Sequence, residues 1–125
     1  MKLYILALAL CSSLVVQAQN SVRRQIDSER DGSFTDDKTY EKSRSFIRRD
    51  STYYLGYLLQ GGYLFFRAND ELGFRKASVP LQKALDKIEK DYDPLLRIRT
   101  NNFAVYNANY RYHFDYGVIT YFLGK

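Results

Sequence analysis

Residues 53–68, YYLGYLLQGGYLFFRA, decide the fold, because their apolar positions recur at helical spacing. One stripe falls at alternating intervals of four and three residues, which is typical of a helix that buries one side. Its members are Tyr54, Leu58, Gly61, Phe65 and Ala68. The preceding residues 50–52, Asp-Ser-Thr, predict an N-terminal cap for this helix. Gly61 and Gly62 predict the close approach of a second backbone.

A second amphipathic helix is predicted after Asn69 and Asp70. Its apolar stripe consists of Phe74, Ala77, Leu81, Ala84 and Ile88. Because proline is tolerated only in the first turn of a regular helix, Pro80 predicts either that the helix begins near Ser78 or that a kink divides residues 74–77 from the rest. We favour the start near Ser78. Residues 93–94, Asp-Pro, predict its end, since a residue before proline is pushed away from helical geometry.

The C-terminal residues 95–125 fit two templates. A helical stripe runs through Phe103, Tyr106, Tyr110, Phe114, Gly117, Tyr121 and Gly124. Residues 106–118 also alternate as a strand would, and aromatic side chains prefer sheets. An echo of the upstream sequence favours the helix, which is the structure that we predict.

The echo is a set of matching residues displaced by forty positions. The first copy is Ala68-Asn69, Phe74, Ala77 and Leu81, and the second is Ala108-Asn109, Phe114, Gly117 and Tyr121. A fixed period between about 20 and 50 residues is typical of repeat architectures, in which each unit covers the apolar face of its neighbour. The echo therefore predicts stacked helical units.

These residues resemble a tetratricopeptide-type helical repeat. The matching positions are Gly62, Phe65, Phe74, Ala77, Leu81, Ala84 and Pro94, followed by residues 102–104 (Asn-Phe-Ala), Phe114, Gly117, Tyr121 and Gly124. The resemblance covers roughly residues 51–125, with a period of forty where the family has about 34. It implies an all-α fold of antiparallel helix pairs, with about four to five helices in a domain spanning residues 37–125. The units would span about 51–94 and about 95–125, and similar segments are typical of exported, tyrosine-rich repeat proteins and of extracytoplasmic sensing portions of signalling proteins.

The second unit stops at Lys125, the position that matches Leu85 in the first unit. A terminal repeat normally carries a polar capping face, but residues 121–123 near this end are apolar. We expect the chain to be the N-terminal part of a longer repeat or sensor protein, or to bury this end by self-association or against a partner.

Residues 1–18 predict a signal peptide, with Lys2 before an apolar stretch at 5–16 and small residues at the cleavage site. The apolar stretch is shorter than the roughly 20 residues of a spanning helix, so membrane association is expected only through an uncleaved signal segment. Cys11 would leave with the signal, and the mature chain would have no thiol or disulfide. Residues 19–36 predict a polar linker. The expected location is periplasmic or secreted.

The charged residues predict a solvated surface. The chain carries 19 basic and 14 acidic residues of alternating sign, a net charge of +5, which does not favour nucleic-acid binding. His113 is the single histidine, and we interpret it as a partly buried structural residue. Asp36 and Asp37 are interpreted as helix-start charges, and Asn69 and Asn109 as turn or capping residues. We predict no catalytic residue, no cofactor and no metal site.

Twelve tyrosines give the chain its clearest binding signal, because tyrosine joins a large apolar surface to a polar tip. Tyr53, Tyr57, Tyr112 and Tyr116 lie off the helical stripes and are the predicted partner-binding residues. The predicted function is an exported, non-enzymatic helical-repeat module that binds a protein or peptide of unknown identity. The alternative is a β-rich cell-envelope or outer-membrane protein with a tyrosine-rich hairpin at residues 106–122.

Overall fold

The computed structural model describes residues 2–30, 33–91 and 103–125, with side chains at 14–30, 33–91 and 111–125. Five helices lie within these described ranges: α1 Lys2–Glu29, α2 Lys38–Arg49, α3 Tyr54–Arg67, α4 Glu71–Asp91 and α5 Phe103–Leu123. No strand occurs among the described residues. The all-α prediction and the helix at the C-terminal end are confirmed, and the strand alternative for residues 106–118 is wrong.

The contacts divide the chain into two units, Met1–Gly32 and Ser33–Lys125. The first unit contains α1, which extends through residues 19–29, where the sequence predicted an irregular linker. Arginine and glutamine each occur twice in residues 19–29 and are good helix formers, so the helix continues to Glu29. No helix in the described part of the chain is both long and apolar enough to span a membrane.

The second unit is a layer of packed helices in which α3 lies between α2 and α4, and α5 packs against α4. Its core is built from one apolar side of each helix, since each amphipathic helix must cover that side. The fully buried apolar side chains are Phe46 of α2, Tyr53 before α3, Tyr54, Leu55, Leu58 and Leu59 of α3, Ala77, Leu81, Ala84, Leu85 and Ile88 of α4, and Ile119 of α5. The predicted stripes of α3 and α4 therefore supply half of this core, whereas Phe65 and Ala68 are half-buried and Phe74 is exposed.

Two glycines of α3 admit close neighbours. A Cβ atom at Gly61 would lie 2.7 Å from Leu81 Cδ2 and 3.1 Å from the Leu81 backbone nitrogen, so α4 approaches α3 closely at this point. A Cβ atom at Gly62 would overlap the ring of Phe34. The predicted close approach at Gly61 is confirmed, because its missing side chain leaves the space that Leu81 occupies.

The turn between α2 and α3 differs from the predicted cap. The N-cap of α3 is Tyr53, which makes no side-chain capping bond. Asp50 instead ends α2, and its carboxylate accepts hydrogen bonds from the Thr52 backbone nitrogen at 2.9 Å and from Thr52 Oγ1 at 2.5 Å. Aspartate commonly bonds the backbone two residues further on, so residues 50–52 form a turn rather than a cap.

The predicted start of α4 near Ser78 is wrong, because α4 runs from Glu71 with Pro80 inside it. Asp70 starts the helix upstream, since its carboxylate accepts a hydrogen bond from the Gly73 backbone nitrogen at 2.7 Å. The Pro80 side chain is buried, and this packing offsets the hydrogen bond that proline cannot donate. The predicted helix end at residues 93–94 lies outside the described residues.

The predicted apolar stripe of α5 faces the wrong way in its described half. Phe114 and Tyr121 are exposed, and a Cβ atom at Gly117 would meet nothing within 4 Å. The inward side of α5 instead carries Tyr112, Asp115, Ile119 and Phe122, which are buried or half-buried. The aromatic residues of α5 are distributed around all sides of the helix, so the spacing of apolar residues does not identify the side that faces the core. The side chains of Phe103, Tyr106 and Tyr110 lie outside the described residues.

The two copies of the forty-residue echo occupy different positions in the fold. Ala68 and Asn69 lie between α3 and α4, whereas Ala108 and Asn109 lie inside α5. Matching positions also differ in burial, since Leu81 is in the core and Tyr121 is on the surface. The helix pairs are present, but the echo does not mark equivalent turns.

Candidate functional site

The four predicted binding tyrosines occupy separate environments. Tyr53 is buried, with 2% of its surface exposed, and its ring centroid lies 5.0 Å from that of Tyr54. Tyr112 is half-buried with its ring 5.4 Å from that of Tyr54, and Tyr116 is half-buried on the same helix. Tyr57 lines an open groove on the surface. Tyr53 is therefore inside the protein, and Tyr57 is the predicted residue that the structure places at a candidate binding site.

Among the other singled-out polar residues, His113, Asp36 and Asp37 lie at the surface. His113 is exposed on α5, whereas the sequence suggested partial burial. Asp36 and Asp37 lie at the start of α2, as predicted, and Asp36 Oδ1 accepts a hydrogen bond from the Lys38 backbone nitrogen at 2.9 Å. Asp37 also pairs with Arg67 of α3 at 2.6 Å.

A buried hydrogen bond connects α3 and α5. The hydroxyl of Tyr54 donates to Asp115 Oδ2 at 2.5 Å, and both side chains are fully buried. A hydrogen bond to a carboxylate in the interior fixes the register of two helices, because any sliding leaves polar atoms unsatisfied. The sequence interpretation missed Asp115, whose only signal was an acidic residue within an aromatic run.

An open cavity of about 430 Å³ lies where the end of α3, the start of α4 and the end of α5 meet. We call it the aromatic groove. Its lining consists of Phe65, Phe74, Leu81, Tyr121, Phe122, Leu123 and Gly124, with Glu71, Arg75 and Ser78 as polar members. The Phe65 ring centroid lies 5.3 Å from that of Phe74 and 4.8 Å from that of Phe122, so packed rings support the lining.

Two lining residues of the aromatic groove present their rings to solvent. Phe74 is 45% exposed and Tyr121 is 79% exposed. On the polar side, Arg75 and Glu71 form an ion pair at 2.6 Å. An apolar surface with a polar rim is typical of an interaction site. The sequence interpretation missed this groove, because it assigned Phe74 and Tyr121 to buried stripes.

A second open cavity, of about 360 Å³, crosses the outer surfaces of α2, α3 and α4. We call it the basic groove. Its lining consists of Arg44, Ile47, Arg48, Tyr57, Gln60 and Lys83. The Nζ atoms of Lys83 and Lys87 lie 5.9 Å and 5.0 Å from the ring centroid of Tyr57. The Tyr57 hydroxyl donates to the Ser51 carbonyl oxygen at 3.2 Å, which orients the ring.

Comparison with models of known protein families, with curated proteins and with solved structures finds no match to this chain. The protein is therefore classified by its fold alone, as an all-α protein of packed helix pairs. The two grooves and their lining residues are the candidate functional sites of the chain.

Proposed function

We propose that this chain is an exported, non-enzymatic helical module, related in type to tetratricopeptide repeats, that binds a protein or peptide. The observation that supports the proposal is the aromatic groove, where the exposed rings of Phe74 and Tyr121 border an open cavity of about 430 Å³. We propose export because residues 1–18 resemble a signal peptide. We propose that the chain is not an enzyme because its sequence contains a single histidine and so offers no histidine-based catalytic set.

The groove suits a peptide segment that presents an apolar or aromatic side chain. Its volume falls within the roughly 300–1,000 Å³ typical of ligand pockets, which is room for one or two side chains. Aromatic rings receive such a side chain through offset or edge-to-face contacts. At the rim, the Arg75 and Glu71 side chains offer polar groups to the backbone of the bound segment. We therefore propose an apolar anchor with a polar backbone on either side of it.

Peptide display against the full chain tests this proposal. Selected peptides are expected to carry an aromatic or branched aliphatic residue, and substitution of Phe74→Ala or Tyr121→Ala should weaken their binding about tenfold or more, as truncation of an interface anchor does. The measurement is fluorescence anisotropy with each purified variant. Circular dichroism of each variant checks that the helices remain.

The matched control is Phe114→Ala. Phe114 is an aromatic residue of α5 that is 57% exposed but does not line the aromatic groove. Its substitution should change the affinity less than about twofold, as expected for a residue outside the contact. Equal losses in all three variants, or selected peptides without any apolar residue, would contradict the proposal. If light scattering showed a dimer that the peptide dissociates into monomers, the groove would be assigned to self-association instead.

A further inference from the structure

We propose that the basic groove is a separate binding site for an acidic peptide segment of a partner protein. The proposal concerns other residues than the aromatic groove, since the linings of the two cavities share no member. It also adds a chemical class of ligand, which the aromatic groove does not specify.

Positive charges flank Tyr57 from two helices. Arg44 and Arg48 lie one turn apart on α2, and Lys83 and Lys87 lie one turn apart on α4. Because α3 lies between α2 and α4, the two pairs stand on either side of the α3 surface that carries Tyr57. Like charges at this spacing repel each other along a helix, so each pair is stabilised by an anion.

Carboxylates of the protein supply little compensation for these charges. Arg44 lies 3.7 Å from Glu41, but both side chains are largely exposed and such a pair is weak. Within residues 33–91, no carboxylate forms a salt bridge with Arg48, Lys83 or Lys87. The neighbouring Asp86 carboxylate accepts a hydrogen bond from Gln82 at 3.0 Å. The groove therefore presents positive charge that an acidic ligand can neutralise.

The rest of the lining favours a peptide over a simple anion. Ile47 and the Tyr57 ring form an apolar floor, and the Gln60 side chain offers both a donor and an acceptor to a peptide backbone. Successive side chains of an extended peptide point to opposite sides. Adjacent acidic residues of such a peptide would therefore reach the arginines of α2 on one side and the lysines of α4 on the other.

The test uses the full chain and a fluorescein-labelled peptide of glutamates around a central leucine. The same peptide with glutamine in place of glutamate is the ligand control. We expect saturable binding of the glutamate peptide, at least about tenfold tighter than binding of the glutamine peptide, because several ion pairs are lost together. The measurement is fluorescence anisotropy at low salt.

Paired lysine variants locate the site. The double substitution Lys83→Ala with Lys87→Ala should weaken the glutamate peptide about fivefold or more, since each exposed ion pair contributes a modest amount. The matched control is Lys38→Ala with Lys76→Ala, which removes the same charge from exposed positions that do not line the groove. This control should change affinity less than about twofold, because neither lysine lines the groove and an exposed charge outside the contact contributes little. Neither double variant should alter binding at the aromatic groove.

Four results would overturn the proposal. Equal losses in the two double variants would show attraction to net charge alone. Equal affinity for the glutamate and glutamine peptides would remove the role of acidic groups. Displacement of the peptide by inorganic phosphate at equal concentration, or preferential binding to phosphatidylserine vesicles through Lys83 and Lys87, would assign the groove to a phosphate group instead.

Discussion

At Asp115 the chain buries a carboxylate completely and bonds it to the hydroxyl of Tyr54. Both residues lie in aromatic runs, where the sequence suggested packing or partner binding rather than a polar connection. The bond gives α5 a defined inward side, which its evenly distributed aromatic residues do not. The polar pair thus favours one rotation of α5 about its own axis, whereas burial of apolar side chains alone would allow several.

Removal of the Tyr54 hydroxyl tests this connection. Tyr54→Phe should lower the free energy of unfolding by about 1.5–3 kcal/mol, because a buried carboxylate loses a hydrogen-bond donor. The control Tyr121→Phe removes the same group from a residue that is exposed, and it should stay within about 0.5 kcal/mol of the parent. Urea denaturation followed by circular dichroism measures both variants, and equal stability of the two would contradict a role for the buried bond.

At the scale of the helices, the sequence predicted what apolar spacing can encode. The stripes of α3 and α4 were predicted because apolar and polar residues separate around those helices, and Leu58 and Leu81 are buried as expected. The sequence did not correctly predict the inward face of α5 or the start of α4. Aromatic residues surround α5, and the burial of Pro80 is a tertiary effect that local propensity does not contain.

The candidate sites were also predicted only in part from the sequence. Tyr57 was predicted from its position off the stripe, and it lines the basic groove. Phe74 was predicted to be buried because it continues the α4 stripe, yet it lies near the first turn of α4, beside the cavity at the helix ends. Spacing along one helix does not reveal where its neighbours stop, so the aromatic groove could not be predicted.

Two glycines should respond in opposite directions, since Gly61 lies at the contact between α3 and α4 and Gly117 lies on the open side of α5. Gly61→Ala should destabilise the protein by about 1–3 kcal/mol, because its Cβ would overlap Leu81, and overpacking costs more than helix propensity returns. Gly117→Ala, which meets nothing within 4 Å, should stabilise the protein by up to about 1 kcal/mol. Thermal or urea unfolding of both variants checks the signs, and stabilisation by Gly61→Ala would contradict the close helix contact.

At the scale of the whole chain, the two grooves differ in the forces that they offer a partner. The basic groove is lined by Arg44, Arg48 and Lys83, with Lys87 close to the Tyr57 ring, whereas the aromatic groove is lined mainly by rings and aliphatic groups. A partner that engaged both would combine charge attraction with apolar burial, and its two contacts would respond differently to the solution.

Salt should separate these two contributions. Raising sodium chloride from about 50 mM to about 500 mM should weaken the acidic peptide at the basic groove severalfold, because exposed charges are screened. The same change should leave a peptide selected on the aromatic groove within about twofold, since apolar burial does not depend on charge attraction. Parallel anisotropy titrations of the full chain measure both, and matching salt responses would contradict the distinction between the grooves.

Phe34 lies early in the second unit and Phe122 lies near its end, yet their ring centroids are 5.5 Å apart. Phe34 also occupies the space over Gly62, and Arg67 bonds the neighbouring Thr35 carbonyl oxygen at 3.1 Å. A contact between residues so distant in sequence closes a long loop, so forming it costs chain entropy. Phe34 also stacks on Phe66 at 6.0 Å between ring centroids, so fraying of the end of α5 would leave the segment before α2 still held by α3.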